Sequence, residues 1–96
     1  MRTVREEIAA QRALDDALAH WSRTADAWEA ITWITARDPE IGTSLNESGT
    51  MRAYTLEGVG SLGLPTITVL YEVSPDYVTI HAAQFSEALH RDAGRG

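Results

Sequence analysis

The apolar residues of this chain change their spacing once, and that change bounds the fold. From Val4 through Ile8, Leu14, Leu18, Trp21 and Ala25 to Trp28 they recur mostly three or four apart, the period of one helical face. After Met51 they alternate, the period of a strand with one buried side. Helices first and strands second make an α+β domain, with the helices laid on one face of an antiparallel sheet. Asp38-Pro39 separates the two regimes, because the proline ring removes a backbone donor and disfavours helix at the preceding residue.

Within the first 37 residues, Ala is abundant and neither Gly nor Pro intervenes. Ser22 and Thr24 suit an N-cap, and Asp26 suits a first turn. The reading is two helices, about Thr3–Trp21 and Ala25–Arg37, folded as a hairpin; one long bent helix fits the same stripe. Ile41 to Thr50 holds Gly42, Asn46, Ser48 and Gly49 and reads as a loop. Three to four antiparallel strands follow over residues 51–85, beginning with Met51–Glu57. Thr66–Val73 places Ile67, Val69, Tyr71 and Val73 on one face, and Ser74-Pro75-Asp76 turns the chain into Tyr77–Phe85. Pairing Val73 with Val78 puts Ile80 and Ala82 on that same inner face. It sets His81 opposite Leu70 and Glu72 opposite Thr79 on the outer one. Ser86 onward suits a short helix, and residues 91–96 read as a flexible tail.

Ninety-six residues make a single domain with one modest core. The absence of Cys removes disulfides, thiolate metal sites and a Cys nucleophile together. Glu6 and Glu7 fall where a secretory peptide needs its apolar stretch, so the expected location is cytoplasmic, with no membrane association. All eight basic residues are Arg, against 14 Asp and Glu, for a formal charge of −6. The deficit is concentrated: Asp38, Glu40, Glu47, Glu57, Glu72, Asp76 and Glu87 have Arg52 as the sole cation among them. A phosphate-binding surface needs clustered cations, so autonomous nucleic-acid binding is not expected and a basic protein partner is.

Gly58-Val59-Gly60-Ser61-Leu62-Gly63 matches the dinucleotide fingerprint G-x-G-x-x-G, but Pro65 and a strand pattern follow where a helix must begin. The segment reads as a strand connection, and no cofactor is expected. His20, His81 and His90 show no ligand spacing, so no metal is expected either. His81, mid-strand on the outer face, is either a proton-exchanging group near neutral pH or a half-exposed strand residue without a role. Arg52 either stabilises an anion or neutralises Glu47 or Glu57, and Tyr54 shares its strand face. Arg52, Tyr54 and His81 are the candidate catalytic residues. Trp21 and Trp28 are placed to seal the helices on the sheet; Trp33 lies off that stripe and, with exposed strand edges, suits a homodimer contact.

From Trp28 to Phe85 the chain resembles the RelE/ParE family of bacterial toxins. The resemblance lies in the order of a helical hairpin, Asp38-Pro39-Glu40-Ile41-Gly42, Met51-Arg52-Ala53-Tyr54, a Gly-rich loop, Leu64-Pro65-Thr66-Ile67-Thr68-Val69-Leu70-Tyr71-Glu72-Val73, and Tyr77-Val78-Thr79-Ile80-His81. It implies an antiparallel sheet with a helical hairpin on one face, activity against ribosome-bound mRNA or DNA gyrase, and a cognate antitoxin whose extended tail wraps the toxin. The mRNA-cleaving members carry an Arg just before the central strand's "l-v-Y", where this chain has Thr68, and basic, Tyr or His residues where it has Gln84-Phe85-Ser86-Glu87. The family usually opens with a strand, whereas this sequence reads as helix there. The expected function is therefore that of an acidic RelE/ParE-like protein acting by protein binding. The alternative is a non-enzymatic acidic inhibitor or adaptor, of phage or mobile-element type, that mimics nucleic acid.

Overall fold

A computed structural model of the chain describes residues 1–88. Strand β1 (Thr3–Glu6) leads into helix α1 (Ile8–Leu18) and helix α2 (Thr24–Arg37). A short 3-10 turn at Pro39–Ile41 precedes β2 (Thr43–Ser44), β3 (Met51–Leu56), β4 (Thr66–Val73) and β5 (Tyr77–Ser86). The architecture is α+β, two helices with a five-stranded mixed sheet in the order β1-β5-β4-β3-β2. The helix expected from Thr3 therefore starts five residues later. Thr3–Glu6 instead pairs in parallel with Tyr77–Ile80, Val4 lying beside Val78. The spacing of Val4 and Ile8 imitated a helical stripe, yet Ile8 is 66% exposed and belongs to no buried face. Pairing with a strand more than 70 residues away overrides a four-residue helical preference, which is weak in any case. The loop expected at 41–50 likewise contains the two-residue β2, paired with Ala53 and Arg52 of β3.

Thr24 is not the N-cap of α2, which begins after Arg23 without a side-chain cap. Its buried hydroxyl instead donates to the carbonyls of Ala17 and Trp21, both at 3.0 Å, satisfying the end of α1. Asp26 stands in the first turn as expected, paired with Arg23 at 2.9 Å. Asp38 ends α2, and Pro39 opens the 3-10 turn.

The core joins Ala10 of α1, Ala27, Trp28 and Ile31 of α2, Ile67, Val69 and Tyr71 of β4, and Val78 and Ile80 of β5. Each aliphatic side chain fully buried in it stabilises the fold by about 1.5–3 kcal/mol relative to exposure. The β4–β5 hairpin keeps the expected pairs Val73↔Val78 and Glu72↔Thr79. It then shifts: Tyr71 pairs with Ile80, but Leu70 pairs with Ala82. His81 is the extra residue of a bulge and is not the partner of Leu70. The extra residue reverses the inside–outside alternation beyond it. Ala83 and Phe85 pack on the core, and Ala82, expected inside, lies on the outer face with Leu70. Phe85 consequently meets Trp28, ring centroids 5.8 Å apart. The tail expected at 91–96, and most of the helix expected from Ser86, lie outside the described residues.

Candidate functional site

One face of the sheet is filled by the helices; the other is open. Register assigns Arg5, Tyr77, Thr79, Ala82, Gln84, Thr66, Thr68, Leu70, Glu72, Met51, Ala53 and Thr55 to the open face, the contact with Glu72 adds His81, and none of them is buried. Its middle is uncharged. Small Ala53 and Ala82 flank Leu70, leaving a shallow bowl of about 180 Å³ bordered by Thr68 and Gln84. Thr68 exchanges a hydroxyl–hydroxyl hydrogen bond of 2.8 Å with Thr55 on the neighbouring strand. At one end the face turns ionic, around His81.

His81 stands between two carboxylates from distant parts of the chain. Its Nε2 lies 2.9 Å from Glu72 of β4 and its Nδ1 2.5 Å from Glu7, at the junction of β1 and α1. Glu7 reaches this place because its extended backbone (φ −78°, ψ 163°) closes β1 and its N–H donates to the Ile80 carbonyl at 3.0 Å. The hydrogen bond to Glu7, then that to Glu72, hold the imidazole pKa above its ordinary value, against the opposing effect of burial. Both ring nitrogens are engaged, so the protonated ring donates twice and presents no lone pair to a substrate. The arrangement favours the protonated imidazole, held between two carboxylates. Among the described residues, no group of three or more His, Asp or Glu is arranged to hold a metal ion.

Arg52 and Tyr54 are elsewhere. They pair with Tyr71 and Val69, whose side chains face the helices, so the sheet itself separates them from His81. Arg52 meets neither Glu47 nor Glu57. Its guanidinium donates to three carbonyls, Gly49 at 2.8 Å, Gly42 at 2.8 Å and Glu40 at 3.1 Å, and thereby ties the 40–50 segment to β3. Tyr54 packs against the core. Beside them Tyr71, wholly buried, donates its hydroxyl to the Pro39 carbonyl at 2.6 Å and accepts from the Gly42 N–H at 3.0 Å. Burial is the largest influence raising its pKa.

The remaining candidates have structural places. The G-x-G-x-x-G segment is a connection closed by a Val59↔Leu64 bridge, with a 3-10 turn at Gly60–Leu62. Its glycines answer to packing. Gly63 has φ +74°, and a Cβ there would strike Ser22, while a Cβ on Gly58 would strike the Leu64 and Pro65 backbone. Trp28 seals the core at 7% exposure, whereas Trp33 is 49% exposed with Arg37 stacked 4.8 Å from its ring centre. Trp21 is half-buried and donates to Glu87 at 3.2 Å.

Sequence reasoning singled out His81, and its register placed Glu72 on the same face one position away. It missed Glu7, separated by 74 residues from its partner. It also missed the Tyr71 hydroxyl, whose only sequence signal was a polar tip in an otherwise aliphatic inner face. No helix among the described residues is long and apolar enough to cross a membrane. Comparison of the chain with protein-family models, curated proteins and solved structures finds no significant match.

Proposed function

We propose that this chain is a RelE/ParE-like protein of a bacterial toxin–antitoxin pair that acts by binding a protein rather than by cutting RNA. The observation that carries the reading is the separation of Arg52 and Tyr54 from His81 by the sheet, with uncharged Thr68 on the open face where the mRNA-cleaving members carry Arg. An RNA phosphate approaching that face meets threonines, alanines and the Glu7–His81–Glu72 cluster, and among the described residues its one Arg, Arg5, is stacked over the Tyr77 ring at the edge rather than focused on the middle. A protein partner meets a shallow apolar bowl with polar borders, the anatomy of an interface centre. The opening strand also supports the resemblance, since the family usually begins with one and β1 is a strand. In this reading α1 and α2 are the family's helical hairpin, and a cognate antitoxin supplies the basic extended tail.

The test is growth of a bacterial host after induction of this gene alone and with its neighbouring reading frame. Arrest relieved by the neighbour, with intact mRNA and altered DNA supercoiling or another protein-borne defect, is the expected result. Arrest with new mRNA ends, abolished in His81→Ala, would overturn the protein-binding part.

A second reading, the acidic inhibitor or adaptor, is favoured by one observation. Arg23–Asp26 is the only Arg–carboxylate ion pair among the described residues, so most of the acids between Asp38 and Glu87 remain uncompensated. Absence of arrest, with salt-sensitive competition against DNA for a basic protein, would select it.

A further inference from the structure

We propose that Glu7, His81 and Glu72 form a proton-operated latch that holds the edge strand β1 and the start of α1 on the sheet. The inference is independent of the toxin reading, since it concerns only how this fold opens. β1 is four residues long and lies at the sheet's edge, with β5 as its one strand neighbour. Backbone hydrogen bonds from Thr3 to Asp76 and from Glu7 to Ile80, both 3.0 Å, mark the two ends of that pairing. On the inner face Val4 packs on the core and the Glu6 carboxylate accepts from the Trp28 indole at 3.0 Å. On the outer face Arg5 stacks over the Tyr77 ring of β5, and the imidazole is, among the described residues, the one side chain that bridges the β1–α1 junction to β4 through charge.

The latch works because an imidazole has two distinct donor states. Protonated, it donates one N–H to each carboxylate, and the cluster carries a single net negative charge. Neutral, it donates from one nitrogen only, and the other turns a lone pair on a carboxylate. One contact becomes repulsive and the net charge becomes −2. The charges acting on the ring are those of Glu7 and Glu72. Arg5, the cation of β1, is engaged 3.4 Å over the Tyr77 ring; Glu6 faces the opposite side toward Trp28; and Arg52 lies across the sheet. Among the described residues, no neighbouring cation replaces the proton. Raising the pH through the imidazole's folded-state titration therefore weakens the hold on β1 while the β3–β4–β5 core is untouched. Release bares the edge of β5 over Tyr77–Ile80. That stretch joins the half of β5 beyond Ile80, which has no strand partner on that side among the described residues. The opened molecule thus presents one continuous strand edge able to receive another extended chain.

The experiment is amide hydrogen exchange on the full chain between pH 5.5 and 9, corrected for the intrinsic pH dependence of exchange. It compares the wild type with His81→Gln. The expected result is that the opening constant of the Thr3 and Glu7 amides, which bond to the β5 side, rises with pH in the wild type, by up to about fivefold in total across the titration range. It stays flat in His81→Gln, and the β4 amides of Ile67 and Val69 show no such rise in either protein. Coincident curves for the two proteins would overturn the latch, as would a rise shared equally by Ile67 and Val69. Should His81→Gln not fold, Glu72→Gln, at an exposed position, must shrink the pH-dependent rise; an unchanged rise in that variant would sink the proposal.

Discussion

Tyr71 is the residue on which the inner side of the sheet turns. Its hydroxyl is buried with two backbone partners, Pro39 and Gly42, so that the turn after α2 is bonded to the middle of β4. Removing that oxygen leaves a buried carbonyl and a buried N–H without partners, and such groups cost more than the bond itself contributes. Tyr71→Phe is expected to lose about 1–3 kcal/mol of unfolding free energy. The measurement is a urea titration, where the midpoint should fall with the slope unchanged; a midpoint within error of the wild type would refute this account. Gly42 is part of the same device. A Cβ there would stand 2.7 Å from the Ala53 carbonyl and closer still to the Tyr71 hydroxyl, so only glycine permits the approach. Arg52 acts beside it through carbonyls rather than carboxylates, which explains how a lone cation among seven acids is held without an ion pair.

At the scale of elements, the bulge in β5 decides which residues reach the core. With His81 counted as extra, Ala83 and Phe85 face inward and Phe85 meets Trp28 of α2. Deleting His81 would remove the bulge and leave Ala82 outward and Ala83 and Phe85 inward, paired as before with Leu70, Val69 and Ile67. Such a deletion keeps the Phe85–Trp28 contact and is expected to lose about as little as His81→Gln, under about 1 kcal/mol. Thermal unfolding of the two variants side by side checks the idea: a loss in the deletion far above that of His81→Gln would show that Phe85 no longer faces inward and would refute this register. The helices were legible at this scale because α2 runs from just after Arg23 to the Asp38-Pro39 stop, signals that act within one turn. β1 was not, since Thr3–Glu6 has no strand neighbour in sequence and its Val4 falls on a helical spacing by coincidence.

For the whole molecule, the Glu7–His81–Glu72 cluster links stability to pH. The folded imidazole has a raised pKa, so its contribution is fully present below the unfolded value of about 6.5 and is lost as pH rises through the folded value. Glu7 and Glu72 are about half exposed, so solvent screening keeps the effect below about 1 kcal/mol. Urea midpoints measured at pH 6 and pH 9 should differ more in the wild type than in His81→Gln, and an equal difference would rule the cluster out as its source. The distribution of acids has its own consequence at this scale. Repulsion among uncompensated carboxylates on one domain favours a cationic partner and disfavours RNA, whichever of the two proposed functions holds.

What the sequence by itself determined is whatever depends on neighbours along the chain. The change of period from helix to strand at Asp38-Pro39, the turn at Ser74-Pro75-Asp76 and the pairs Val73↔Val78 and Glu72↔Thr79 all follow from residues within a few positions of one another. So did the α+β class and the failure of the glycine motif to precede a helix. Tertiary structure alone decided the strand character of Thr3–Glu6, its parallel place beside β5, the bulge at His81, and the arrival of Glu7 against that ring. It also put Arg52 and Tyr54 on one side of the sheet and His81 on the other. The physical reason is the same in each case. Periodicity records which side of an element is buried, but it contains no information about which distant strand completes the hydrogen bonding. A single extra residue, absorbed as a bulge so that Phe85 reaches Trp28, reverses every face beyond it without leaving a mark in the local pattern.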